Sequence, residues 1–170
     1  VVYSNNIKWE NVPIAGEIAK RLGVPVFMTN DANAAALGES YAGAGKKYKT
    51  SVFVTLGTGV GGGIVLDGSL YEGGRSAGAE IGHMLIKLNG ERCTCGRRGQ
   101  LKNVDGKTAF DGMRAGDEAA AKAVNTYIGY LAEGLINICN IFRPDAILLG
   151  GGICAEGEAL LQPLKERVSA

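Results

Sequence analysis

Five glycines crowd into the segment LGTGVGGG, directly after the apolar run SVFVT. The β-branched and aromatic residues of SVFVTL predict a strand, and a glycine-rich turn after a strand lets backbone amides approach an anion such as phosphate. Gly57, Gly59 and Gly62 match the dinucleotide-binding spacing G-x-G-x-x-G, but that site requires a helix next. Here IVLDGSLY continues the chain, and its Asp67-Gly68 dipeptide favours a two-residue hairpin turn. A Rossmann-type site is therefore excluded, and a phosphate-binding loop and a tight structural turn remain equal alternatives.

Helical and strand patterns alternate along the rest of the chain. The predicted helices are PIAGEIAKRLG, which starts near Pro13 and stops at Gly23, then DANAAALGESYAG, a long helix from about 117 to 141, and EGEALLQPLKERV. The predicted strands are VPVFMT, SVFVTL, the IVL and SLY arms of the hairpin, and AILLG. This alternation predicts an α/β fold in which SVFVTL, the hairpin and AILLG share one mixed sheet, with the long helix packed on it.

Composition narrows the partners that such a fold could have. With 170 residues and 46% apolar content, the chain can bury one ordinary core, so a single domain is the default expectation. Eighteen basic and seventeen acidic residues leave a net charge of +1, which provides no basic field for nucleic acid and no polybasic patch for a membrane. The longest apolar runs, such as AILL, are too short to span a bilayer, and no charged leader is recognisable. We therefore expect a cytoplasmic protein with small-molecule partners.

Three polar residues carry candidate chemistry outside the glycine-rich loop. Asp31 opens a predicted helix, where a carboxylate is most simply a cap worth about 1 kcal/mol. The alternative is a catalytic base, because a kinase that phosphorylates a hydroxyl needs one aspartate to accept the proton while metal and loop amides hold the γ-phosphate. Glu80 and His83, three residues apart, offer a carboxylate and an imidazole that suit vicinal hydroxyl groups.

The sole histidine also lies close to two cysteines in the sequence, Cys93 and Cys95. A Cys-x-Cys pair is too close for an easy disulfide, so we expect reduced thiols. Imidazole and thiolate are zinc ligands, but the same sequence pattern is also explained by a core histidine beside free thiols. The spacing alone leaves both alternatives open.

Five motifs occur in the order TNDANAAALGE, LGTGVGGGIVLDG, GGRSAGAEIGHM, CTCGRRG and AILLGGGI. Together they closely resemble the ROK family (repressors, open reading frames, kinases) of sugar kinases, and its bacterial glucokinases in particular. The resemblance implies an actin-like, ribonuclease-H-like ATPase fold in which ATP, with Mg²⁺, and a hexose meet in a cleft. It also implies a homodimer or larger homo-oligomer and a role in carbohydrate metabolism and glycolysis.

The resemblance assigns a role to each candidate residue. Asp31 is similar to the base that deprotonates the sugar hydroxyl, and Asn30 to a sugar contact. Glu80 and His83 resemble ligands of the sugar hydroxyls. LGTGVGGG resembles the second phosphate loop, and Gly150 to Gly152 resemble the loop under the adenosine. The implied cofactor-binding residues are Gly57, Thr58, Gly59, Gly61, Gly150, Gly151 and Gly152.

Family members bind a structural zinc through one histidine and three cysteines, and here His83, Cys93 and Cys95 match. The third cysteine should stand where Gln100 is, and a sugar-contacting glutamate near Lys102. We interpret both differences as a deletion near Gly99 and Gln100, which predicts a break or an impossible separation there. If the chain is continuous instead, water should complete a weakened or empty metal site.

The chain is thus expected to be a ROK-type kinase core without the N-terminal phosphate-loop lobe, a segment near 99–100 and the C-terminal end. On its own it should be inactive, because half a phosphate clamp positions ATP poorly. Two other functions stay open: a sugar-sensing transcriptional regulator of the same family, and a catalytically inactive sugar-binding remnant. The sequence leaves the hexose open among glucose, its amino or N-acetyl derivatives, mannose and fructose.

Overall fold

The computed structural model describes residues 3–4, 9–74, 78–93, 95–101 and 107–169. It separates into two units, Val1–Asn30 and Asp31–Ala170. The first unit contains a short antiparallel pair, β1 (Tyr3–Ser4) and β2 (Trp9–Glu10), followed by α1 (Ile14–Leu22). As predicted, α1 follows Pro13 and ends at Gly23, whose left-handed backbone lets its N–H donate to the Ala19 carbonyl.

The predicted strand VPVFMT, residues 24–29, is wrong. This segment has no regular secondary structure, and no described residue pairs with it. A strand is defined by the hydrogen bonds of a neighbour, so apolar, β-branched content alone does not produce one.

The second unit is built on a four-stranded mixed sheet. Its strands are β3 (Ser51–Leu56), β4 (Val60–Leu66), β5 (Ser69–Tyr71) and β6 (Ala146–Gly150), in the spatial order β5-β4-β3-β6. The pairs β3–β4 and β4–β5 are antiparallel, whereas β3 and β6 are parallel. Asp67 and Gly68 have φ values of 50° and 79°, the left-handed backbone that a two-residue hairpin turn requires. The predicted mixed sheet is confirmed.

Helices lie on this sheet and against one another. They are α2 (Asp31–Ala42), α3 (Lys107–Arg114), α4 (Glu118–Phe142) and α5 (Glu158–Ser169). The carboxylate of Asp117 caps α4 by accepting hydrogen bonds from the Ala119 and Ala120 amides, and Arg143 ends it in a left-handed conformation just before Pro144. The sequence had indicated α2, α4 and α5 but not α3. None of the described helices is both long and apolar enough to cross a bilayer.

The core lies on one face of the sheet. Val52, Val54 and Leu56 of β3 are fully buried there, and they belong to one apolar cluster with residues of α3, α4 and α5. Leu101, 1% exposed, joins this cluster beside α4, where a Cβ on Gly134 would lie 2.6 Å from the leucine side chain. The segment that follows the cysteine pair is therefore anchored in the core.

Candidate functional site

Three consecutive glycines of β4 set the positions of the elements on its two faces. A Cβ on Gly63 would lie 2.5 Å from the Cβ of Ala36, and one on Gly61 would lie 3.4 Å from the Cβ of Ala32. Both contacts are with α2. A Cβ on Gly62 would instead lie 2.3 Å from Ile81, on the opposite face. Successive residues of a strand face opposite sides, so this run admits α2 on one face and the Ile81–His83 turn on the other.

Asp31 is the first residue of α2, and its side chain is exposed. Its Oδ1 atom accepts a hydrogen bond of 2.8 Å from the Ala32 amide, and the positive end of the helix dipole favours the carboxylate. Because Ala32 packs on Gly61, near the start of β4, this carboxylate lies at the sheet edge from which the glycine turn 57–59 emerges. An exposed carboxylate at this point can accept a proton from a bound hydroxyl group. Asn30 is exposed and ends the first unit, so its sugar contact stays a prediction.

The two glycine-rich turns are neighbours at one edge of the sheet. In the parallel pair, Thr55 of β3 lies opposite Gly150 of β6, so residues 57–59 and 151–152 leave the same ends of adjacent strands. Gly151, with φ of 96°, presses on the end of β3, and a Cβ there would lie 2.3 Å from the Leu56 carbonyl oxygen. Open α/β sheets bind ligands at the carboxyl ends of their strands. The phosphate-loop and adenosine-loop roles remain predictions. Of their residues, Gly61 lies inside β4 and Gly150 is the last residue of β6, and the others lie in the two turns.

The second turn continues into a 3₁₀ segment, Gly152–Glu156. Arg114, at the end of α3, contacts both Asp111 and Glu156, and these hydrogen bonds raise the pKa of its guanidinium. The half-buried thiol of Cys154 lies within the same segment, and burial raises its pKa. The turn is thereby tied to the helical layer.

Glu80 and His83 flank the short turn that packs on Gly62. The Nε2 atom of His83 lies 3.9 Å from Oε2 of Glu80, with side-chain exposures of 30% and 65%. Ala79, just before them, has a φ of 66°, a backbone that non-glycine residues adopt rarely and mostly at functional or tightly constrained sites. The pair therefore presents a carboxylate and an imidazole to the outside of the turn.

The structure brings His83, Cys93 and Cys95 together, as the zinc prediction requires. Their ligand atoms all lie within 4.8 Å of one another. The cysteines belong to a small loop that closes when the Cys93 amide donates to the Arg97 carbonyl and the Gly96 amide to the Cys93 carbonyl. One imidazole and two thiols are a donor set that fits zinc, with one tetrahedral corner left for another atom. Among the described residues, no disulfide joins Cys93, Cys95, Cys139 or Cys154 to another cysteine.

The predicted break between Gly99 and Gln100 is wrong. The Gly99 carbonyl accepts hydrogen bonds from Ile86 and Lys87, and Gln100 pairs with Leu85 in an antiparallel bridge. The backbone is so close that a Cβ on Gly99 would lie 1.7 Å from the Lys87 carbonyl oxygen. A continuous, paired segment thus delivers the Gln100 side chain to the cluster. Lys102, where a glutamate was expected, lies outside the described residues.

Gln100 is the site residue that sequence reasoning missed, because it was read as a lost cysteine. Its Oε1 atom lies 3.1 Å from Nδ1 of His83 and 3.0 Å from Sγ of Cys95. The available signal was its position, five residues after Cys95 in a motif whose last member should be a ligand.

Comparisons with known proteins identify relatives of this chain. The model of the ROK family matches residues 1–103 and 98–170. The glucokinase of Thermotoga maritima is 38% identical over 192 residues, covering 94% of this chain and 61% of the glucokinase. The xylose repressor of Bacillus subtilis is 30% identical, covering 100% of this chain and 49% of the repressor. A crystal structure of a ROK family glucokinase from Streptomyces griseus, in complex with glucose and AMPPNP, matches with a TM-score of 0.85 and 30% identity, over 98% of this chain and 65% of that one.

Proposed function

Since the chain belongs to the ROK family and has its actin-like ATPase fold, we propose that it serves ATP-dependent phosphorylation of a hexose, as a glucokinase does. The observation that carries the proposal is the position of Asp31. Its exposed carboxylate lies at the sheet edge where the turns 57–59 and 151–152 are neighbours, so a proton acceptor and two anion-compatible turns lie at one edge. The chain spans about three fifths of the length of the Thermotoga glucokinase. The proposed activity is therefore that of a full-length protein that contains this chain.

Each group has one task in the proposed reaction. Asp31 accepts the proton of the attacking sugar hydroxyl, which makes the oxygen a better nucleophile toward the γ-phosphorus of ATP. Backbone amides of the turn 57–59 bind phosphate oxygens, and the turn 150–152 lies under the adenosine. Glu80 and His83, with Asn30, bind other sugar hydroxyls. Mg²⁺, bound with ATP, supplies charge neutralisation on the phosphates.

Zinc is part of this proposal as a structural ion. Held by His83, Cys93 and Cys95, it would fix the imidazole that faces Glu80. The donor set and its distances support this role. Cytoplasmic location, a glycolytic role and a homo-oligomeric state complete the proposal as predictions from the resemblance.

Although the chain is continuous through Gly99 and Gln100, a deletion near these residues relative to other family members remains part of the proposal. The family model matches in two pieces that overlap at 98–103, at the junction where the deletion was predicted. The alignment with the Thermotoga glucokinase extends over 192 residues, more than the 170 of this chain, so that relative has positions without a counterpart here.

The test is the substitution Asp31→Asn in the full protein. It keeps the shape but removes the proton acceptor, so we expect the turnover number with the preferred hexose to fall about 10²-fold or more. The affinity for the sugar, measured by calorimetry, should change much less. Asp67→Asn is the matched control, because Asn-Gly forms the same hairpin turn and Asp67 lies in the β4–β5 turn. A panel of glucose, glucosamine, N-acetylglucosamine, mannose and fructose identifies the substrate first.

The main alternative is a sugar-sensing regulator, which the match to a xylose repressor favours. A regulator would bind a sugar but show no turnover with any hexose in the panel. Unchanged turnover in Asp31→Asn would instead leave a kinase in which Asp31 is a helix cap.

A further inference from the structure

Gln100 is among the most buried polar residues of the described chain, with 2% of its surface exposed. Burying an amide is costly unless its groups are hydrogen-bonded, and here both ends of the amide have partners. The oxygen faces Nδ1 of His83 and Sγ of Cys95, and the nitrogen donates to the His83 carbonyl oxygen at 2.7 Å. The Gln100 side chain is therefore in direct contact with the cluster of His83, Cys93 and Cys95.

The direction of this amide is fixed by its chemistry. A backbone carbonyl can only accept a hydrogen bond, so the atom beside the His83 carbonyl must be the amide nitrogen. Consequently the oxygen, which has two lone pairs, is the atom that points at the cluster. A flipped amide would lose the 2.7 Å bond and would present N–H groups, which cannot bind a cation.

The backbone holds this side chain in place from both sides. Gln100 pairs with Leu85, and the next amide, of Leu101, donates to the Met84 carbonyl at 3.1 Å. Leu101 is buried against Gly134 of α4. Gln100 thus lies between a hydrogen-bonded bridge and the core. This backbone pairing holds its amide oxygen toward the cluster.

We propose that Oε1 of Gln100 is the fourth ligand of the zinc that His83, Cys93 and Cys95 hold, in the position expected for a third thiolate. Zinc bonds of about 2.0–2.3 Å place the atoms of a tetrahedral site roughly 3.3–3.8 Å apart. The Oε1 distances of 3.0 and 3.1 Å to two of the donors need only a small expansion to reach that geometry. In this proposal the amide oxygen, and not water, fills the fourth corner.

The charge and proton balance follow from this ligand set. Zinc entry displaces the protons of the two thiols, so two thiolates neutralise the ion and the amide oxygen adds no charge. Nδ1 of His83 must give its lone pair to the metal, which leaves the imidazole proton on Nε2, the atom 3.9 Å from Glu80. Because a neutral oxygen is a poorer zinc ligand than a thiolate, the site should bind zinc more weakly than a three-cysteine site.

The inference rests on the zinc site of the proposed function, but its test measures metal and not phosphotransfer. Zinc per chain is determined by atomic emission after dialysis, and the zinc Kd by competition with a chromogenic chelator. Gln100→Leu keeps the approximate shape and removes the oxygen. Gln100→Glu restores an oxygen, and Gln100→Cys supplies the thiolate. Gln162→Ala, an exposed glutamine of α5, is the control.

We expect about one zinc per wild-type chain, in line with a closed structural site. Gln100→Leu should raise the zinc Kd roughly 10- to 100-fold, Gln100→Glu should restore it, and Gln100→Cys should lower it below the wild-type value. Gln162→Ala should leave it unchanged. A wild-type Kd in Gln100→Leu would overturn the inference, since water or no fourth ligand would then suffice. So would a wild-type chain without zinc when Gln100→Cys holds one. Neither result would alter the prediction for Asp31.

Discussion

Adding a single methyl group to β4, in Gly62→Ala, tests how the His83 turn is positioned. The new Cβ would lie 2.3 Å from both Cγ1 and Cδ1 of Ile81, where ordinary contacts begin at 3.4 Å. Ile81 is 5% exposed, so it has no solvent to move into. Either Ile81 or β4 must therefore shift by about 1 Å, and interiors packed at crystal-like density resist such shifts.

The expected cost is that of overpacking a core, about 1–3 kcal/mol of unfolding free energy. For a domain of this size, that corresponds to a Tm lower by roughly 2–12 °C. Gly38→Ala is the matched control: it lies in α2 with nothing within 4 Å of the new methyl group. Alanine is the better helix former, so this control should gain about 0.5–1 kcal/mol.

Thermal and urea unfolding followed by circular dichroism measure both variants, and a double-mutant cycle with Ile81→Ala locates the cause. Ile81→Ala removes both clashing atoms and by itself should cost about 2–5 kcal/mol. In that background Gly62→Ala should cost much less than in the wild type. A Tm within about 1 °C of wild type for Gly62→Ala, or a fully additive cycle, would refute the proposed packing of Ile81 on β4.

Three further predictions concern the helix cap, the second glycine turn and a buried thiol. Asp117→Ala removes the cap of α4 and should cost about 1 kcal/mol in urea unfolding, whereas Asp117→Asn should cost less; equal losses would mean that the cap hydrogen bonds do not matter. Gly151→Ala places a methyl group 2.3 Å from the Leu56 carbonyl oxygen at a φ of 96°. It should destabilise the protein by about 1–3 kcal/mol and raise the KM for ATP, and an unchanged KM would argue against a nucleotide at this turn. Burial raises the pKa of Cys154, so the unfolded chain loses the thiol proton first. Stability should therefore fall as pH rises from the unfolded pKa through the folded one, and Cys154→Ala should reduce that loss; an identical alkaline profile in the variant would contradict it.

Local signals predicted much of this fold. The Asp67-Gly68 dipeptide fixed the hairpin, and the apolar periodicity before Pro144 located α4 to within a residue or two. Residues 24–29 show the limit, since they have strand-like composition but no partner among the described residues. Whether a partner exists is a property of the whole chain, which composition does not encode.

The candidate site likewise contains residues that the sequence indicated and one that it did not. The resemblance to the ROK family indicated His83, Cys93 and Cys95, whereas their spacing alone left a core histidine beside free thiols as an alternative. It did not indicate Gln100 because glutamine has no preferred role, and its contact with His83 spans 17 positions. Nor did it show that Gly62 and Gly63 serve close packing, which became visible only from the atoms around them.

Because successive glycines of β4 face opposite sides of the sheet, this strand cannot gain or lose one residue without disturbing its packing. A single residue inserted or deleted ahead of Val60, and not absorbed by the preceding turn, would turn every later side chain of β4 to the opposite face. The side chains of Val60 and Ile64, which now pack in the core, would then face α2, where the close contacts leave room only for glycine. One such change would displace both α2 and the Ile81–His83 turn from the faces of β4. Natural variation in length should therefore be confined to the turns on either side of β4.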